Sequence, residues 1–206
     1  MNKFHQLYKT WKETKQTPRV RICSFLDFLV ETNQISYVLE KYVEDLFECL
    51  DIILDFEIEE LEVADKLSNY APHLLDSYYN KFLYYIENAR PPGESSSSDL
   101  PDLLTSLIKC NLNIAEQHFT TLYELCLRHY IYLTVLTDCF GKDKFLSLTK
   151  QHTKKILNLH KKHDPEYSLL EPLLKELSKN DIKVLNRILP IPQELLDKIQ
   201  NLQKEV

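Results

Sequence analysis

Glycine is nearly missing from this chain, with Gly93 and Gly141 the only two in 206 residues. β-rich and α/β chains of this length need many more glycines for hairpin turns and phosphate-binding loops, so the shortage points to an all-α fold. The five cysteines, Cys23, Cys49, Cys110, Cys126 and Cys139, are odd in number and form no CxxC pair. Most fall among apolar helical positions, which predicts buried thiols and a reducing compartment, cytoplasm or nucleus. The opening MNKFHQLYKTWKETK has no apolar core of a secretory signal. The most apolar segment, Leu112–Gly141, is entered through Glu124, Arg128 and His129. A spanning helix needs about 20 predominantly apolar residues, and this segment falls short of that.

Catalytic and cofactor signatures are also lacking. The chain has no GxxxxGK[ST] or GxGxxG phosphate loop, no HExxH, no carboxylate-rich ExxH pair and no GxSxG elbow. The strongest candidate for chemistry is His160-x-x-His163-Asp164, two imidazoles and a carboxylate that can serve a metal. Lys161 and Lys162 lie between the histidines and no second ligand pair exists, so capping or polar core roles are the expectation, with no metal or cofactor. Asp51 and Asp55, one helical turn apart, lack the fuller aspartate-rich repeat of helical prenyl-transfer enzymes. The chain reads as a non-enzyme.

Periodicity fills in the rest. Phe4, Leu7, Tyr8 and Trp11 place a short amphipathic helix at 2–15, and Thr17-Pro18 opens a second that runs to Glu31. Ile35, Leu39, Tyr42, Leu46, Cys49, Ile53 and Phe56 form a heptad seam over 35–56. A second stripe, Val38, Val43, Phe47 and Leu50, widens that face and favours burial in a bundle over homodimerisation through the seam. Pro72 opens a tyrosine-dense helix through Tyr78, Tyr79, Tyr84 and Tyr85, and RPPGESSSS at 90–98 is a flexible linker. A central buried helix is expected over about 113–140, with an internal Glu124–Arg128 pair and a C-cap at Gly141. A further helix over 143–163 should turn His152 and His163 inward, and Ser168 with Glu171 resembles a capping box. The sum is a single-domain bundle of eight to ten helices spanning 1–206, packed around that central helix.

Charge is sorted along the chain although the net is only −6. Residues 40–66 hold eleven acids against Lys41 and Lys66, while Lys142–His163 carries seven lysines against Asp143. In scarcity of glycine and a buried helix wrapped by amphipathic ones, the chain is similar in architecture to helical interaction domains such as the telomeric-factor homology domain and the cell-death regulators. The likeness implies no residue roles. Charge blocks and surplus tyrosines suggest an adaptor that docks peptide or helical segments of partner proteins and bridges two of them, in a chromatin- or telomere-type assembly. Tyr78, Tyr79, Tyr84, Tyr85, Lys154 and Lys155 are the expected contacts. The competing expectations are nucleic-acid binding through the lysine-rich 142–163 helix, which the shortage of arginine disfavours, and a metal-dependent enzyme using His160, His163 and Asp164.

Overall fold

A computed structural model describes residues 2–15, 21–52, 59–88 and 100–202. The all-α expectation holds: the described residues form fourteen α-helices and one short 3-10 turn, with no strand among them. The chain divides into two compact units, Met1–Tyr85 and Ile86–Val206. The 90–98 stretch, Thr17-Pro18, and Ile53 and Phe56 of the seam lie outside the described residues.

The first unit contains α1 (Lys3–Thr14), α2 (Ile22–Glu31), α3 (Ile35–Ile52), α4 (Glu59–Tyr70) and most of α5 (Pro72–Asn88). Its core begins with a ring cluster. Phe25 lies 5.6 Å from Phe4, 5.9 Å from Tyr8 and 5.2 Å from Trp11, so α1 and α2 meet through edge-on and tilted aromatic contacts. Ile35, Leu39, Leu46 and Cys49 of the heptad seam are buried within this unit, as are Val38, Val43 and Phe47 of the second stripe. The helix carrying them bends at Tyr42, whose φ of −132° and ψ of 20° leave the helical region.

Acidic charge on α3 has a specific use here. Asp45 Oδ2 accepts hydrogen bonds from the Lys3 and Phe4 backbone N–H groups at 2.7 and 3.3 Å, two of the donors a helix start leaves unpaired. Asn2 caps the same end by accepting from His5 N–H at 2.7 Å, while its amide donates to the Asp45 carbonyl and to Glu48. The acidic α3 therefore holds the start of α1 through backbone N–H groups at the positive end of a helix, and among the described residues no lysine of α1 pairs with a carboxylate of α3.

The second unit runs through α6 (Leu100–Cys110), α7 (Leu112–Gln117), α8 (Phe119–Arg128), α9 (Thr134–Phe140), α10 (Lys142–Gln151), α11 (Thr153–His163), the 3-10 turn Ser168–Leu170, α12 (Glu171–Glu176), α13 (Lys179–Ile188) and α14 (Gln193–Leu202). The expected central helix is three helices, broken at His118 and again over 129–133. The second break follows from α8 ending in a left-handed closure. Tyr130 sits at φ 56°, and the next N–H, of Ile131, donates to the Cys126 carbonyl at 2.8 Å. Tyr130 and Tyr132, expected inside an all-apolar run, consequently point to solvent, while Ile131 and Leu133 are buried. Gly141 joins α9 to α10 at φ 78° and ψ 153°, a conformation that only glycine adopts readily.

The 143–163 helix is likewise two, with His152 at the break. That break changes which face of α11 turns inward, so Ile156 and His160 are buried and His152 and His163 are only partly covered. The capping box at Ser168 does not form, because the Ser168 hydroxyl donates to Asp164 instead. Pro172 occupies the first turn of α12.

Replacing Asp45 with Ala leaves two helix-end donors without their carboxylate and is expected to lower stability by about 1 kcal/mol. Thermal melting followed by circular dichroism checks this, and Asp45→Asn, which retains an acceptor, should lose less.

Candidate functional site

Three clusters of chemistry-bearing side chains emerge. The first joins two of the expected metal candidates. His160 and Asp164 are both buried, and His160 Nδ1 lies 3.2 Å from the Asp164 carbonyl oxygen and 3.5 Å from Asp164 Oδ2. On its other side, His160 Nε2 is 2.8 Å from the hydroxyl of buried Tyr123, and the imidazole stacks on Tyr167 at 4.1 Å. Asp164 accepts from the Ser168 backbone N–H and hydroxyl, each at 2.8 Å, and from the Leu169 N–H at 3.2 Å. A Tyr–His–Asp chain thus runs from α8 through α11 into the turn beyond it. Burial raises the Asp164 pKa, but the hydrogen bonds from His160, Ser168 and Leu169 outweigh it and hold the carboxyl below the usual range. Burial also pushes the Tyr123 phenol well above its ordinary value, so it stays protonated as a donor.

His163 does not join this chain. It turns to Glu124, with Nε2 3.5 Å from Oε1 and no hydrogen bond made by that nitrogen. Glu124 also lies 3.8 Å from Lys162, and Arg128 pairs with Glu87 instead of with Glu124 as expected. Among the described residues no three His, Cys, Asp or Glu side chains converge as a metal site.

The second cluster is one that sequence spacing gives no sign of. Cys49 Sγ on α3 lies 3.7 Å from both His5 Nδ1 and Asn2 Oδ1 on and beside α1. A Cys–His contact suggests a nucleophile, but the electrostatics oppose one. Burial, then the carboxylates of Asp45 and Glu48, push the Cys49 thiol up to about 11, far from the depressed values of reactive cysteines. Cys126 is buried and its thiol is pushed higher still by desolvation.

The third cluster is exposed. Of the expected tyrosine contacts, Tyr79 is fully buried, and Tyr78 stacks on Phe47 at 4.5 Å and donates its hydroxyl to Glu44, so both belong to the first unit's interior and rim. Tyr84 stands 61 % exposed, while the Tyr85 side chain lies outside the description. Lys154 and Lys155 are exposed on α11. To these the structure adds Tyr130 at 72 % and Tyr132 at 55 %, presented by the turn between α8 and α9. That turn is fixed at both ends, by the Ile131–Cys126 bond and by Leu133 N–H donating to the Leu169 carbonyl at 3.2 Å. Comparison with family models, curated proteins and solved structures finds no match for the chain.

Asp164→Asn replaces one of the two accepting oxygens with an amide NH2, leaving the donors on that side facing hydrogens, and its expected cost is about 1–3 kcal/mol at neutral pH. The folded Asp164 pKa is depressed, so its stabilisation is present above the unfolded value of about 3.9 and is lost as pH falls through the lower folded value. Melting temperature against pH should therefore drop below about pH 4 in the parent and drop less steeply there in Asp164→Asn.

Proposed function

We propose that the protein is a non-enzymatic helical adaptor that docks peptide or helical segments of partner proteins. Each unit carries its own exposed aromatic position, Tyr84 in the first and Tyr130 with Tyr132 in the second, which suits bridging of two partners in a larger complex. The single observation that carries this reading is Tyr130. A side chain in the left-handed region costs roughly 1 kcal/mol relative to glycine. At Tyr167, the other tyrosine held this way, the ring is buried and stacks on His160. Asn33, at the equivalent closure after α2, is a residue type that tolerates the conformation. Tyr130 has neither advantage, since it stands 72 % exposed.

A strained residue whose side chain serves nothing inside the fold supports a role outside it. Tyrosine suits such a role because it offers a large rigid surface and a hydroxyl that stays hydrogen-bonded. The clusters with catalytic composition lean against an enzyme reading, since His160, Asp164, Cys49 and Cys126 are buried and the Cys49 thiol is held protonated. Cys49, Cys126 and Cys139 are free thiols, which suits a reducing compartment, nuclear or cytoplasmic, and no described helix is long and apolar enough to cross a membrane.

The test is affinity capture from a native extract with the full chain, repeated with Tyr130→Ala/Tyr132→Ala and with Tyr84→Ala. Both rings are exposed and alanine keeps the Tyr130 strain, so melting temperature should hold, while retention of a partner should fall by more than about tenfold for a true hot spot. Equal retention by all variants, or turnover of a small molecule by a protein that captures nothing, contradicts the adaptor reading.

A further inference from the structure

Helix α11 has two faces of opposite character. At 3.6 residues per turn, Lys154, Asn158, Lys161, Lys162 and Lys155 fall within an arc of about 120°. All five are exposed. The opposite side holds Ile156 and His160, both buried, with His160 fastened to Tyr123 of α8 and to Asp164. The lysine strip is therefore held by a fully satisfied polar anchor on its back, and its backbone cannot roll without breaking that anchor.

The strip lacks internal counter-charge. Lys162 has Glu124 at 3.8 Å, a long and exposed contact, whereas Lys154, Lys155 and Lys161 make no ion pair among the described residues. Acids are available to other lysines of this unit: Lys144 reaches Glu116 at 2.6 Å, and Lys175 and Lys198 share Glu171. Lys161 and Lys162 at the C-terminal end of α11 complement the helix dipole, but Lys154 and Lys155 stand in its first turn, where positive charge is unfavourable. Local helix energetics thus work against the two lysines at the start of the strip.

Resting on the adaptor reading, we infer that the exposed face of α11 is the docking strip for an acidic helix of a partner protein. Lys154 and Lys161, and likewise Lys155 and Lys162, are seven residues apart, about 10.5 Å along the helix, the spacing of carboxylates two turns apart on a parallel neighbour. The turn presenting Tyr130 and Tyr132 is tied by the Leu133–Leu169 hydrogen bond to the segment following α11, so aromatic contacts adjoin the end of the unit where that segment lies. A protein acid suits this strip better than a nucleic-acid backbone. The strip carries lysines and no arginine, so it lacks the planar fork that grips phosphate two oxygens at a time.

The test uses the full chain and a fluorescently labelled helical peptide with Glu at every seventh and adjacent position, read by anisotropy beside a labelled DNA duplex. Peptide binding should appear at low salt, weaken as salt rises, and fall about tenfold in Lys154→Glu/Lys155→Glu, which is about 0.7 kcal/mol for each reversal. Lys109→Glu, an exposed lysine on α6, should leave it unchanged, and melting curves should show both variants folded. Absence of peptide binding at low salt, an equal loss in Lys109→Glu, or tighter binding of the duplex than of the peptide overturns the inference. If the peptide fails while Tyr130→Ala/Tyr132→Ala still releases a captured partner, the acidic-helix inference falls and the adaptor reading stands. If the peptide binds as expected while the tyrosine variants release nothing, the strip stands and the tyrosine-based reading falls.

Discussion

The buried chain from Tyr123 through His160 to Asp164 is the constraint on which the second unit's geometry rests. It sets α11 against α8, and the bonds Asp164 accepts from Ser168 and Leu169 fix the turn that follows. That turn in turn holds Leu133 through the Leu169 carbonyl. An unpaired buried imidazole or carboxylate is costly, so the network acts as a unit: each member is satisfied only if the helices carrying the others are in place. Both exposed features proposed for docking, the lysine face of α11 and the tyrosine turn after α8, are positioned by this one chain.

Among the described residues, two of the three non-glycine residues in the left-handed region show how a fold short of glycine ends its helices. Asn33 and Tyr130 each close a helix with the same backbone bond, from Gln34 to Leu29 and from Ile131 to Cys126. Tyr167 instead begins the 3-10 turn and gains a stacked contact with His160. Conformational cost is thus met by side-chain tolerance at one site and by burial at another. At Tyr130 neither applies, which is why the residue carries the functional argument.

Helix class and several helix bounds were legible because amphipathic spacing is local: α1 and α5 lie where their apolar residues place them, and α2 ends at Glu31 as expected. Breaks inside apolar stretches were not legible. The run from Tyr130 to Leu136 looks continuous in composition, yet α8 stops because its end closes through Tyr130, a residue with no breaker signature. The same blindness applied at His152, and it carried the inward face of α11 from His160 to its neighbours. His160 and Asp164 were recognisable as a pair by spacing, but Tyr123 and the Cys49–His5 contact come from segments 37 and 44 residues away, a distance no local pattern encodes. Tyr79 was assigned to the surface by tyrosine density alone, and packing placed it in the core.

The central claim is that Tyr130 is kept for an external contact at the expense of the fold. The measurement that bears on it most directly is Tyr130→Gly, read both by melting temperature and by capture of the partner that the parent retains. Relief of left-handed strain, offset in part by the greater freedom of glycine in the unfolded chain, should raise stability by roughly 0.5 kcal/mol, while partner retention falls. A variant that melts no higher than the parent, or that melts higher and retains the partner undiminished, would contradict the account.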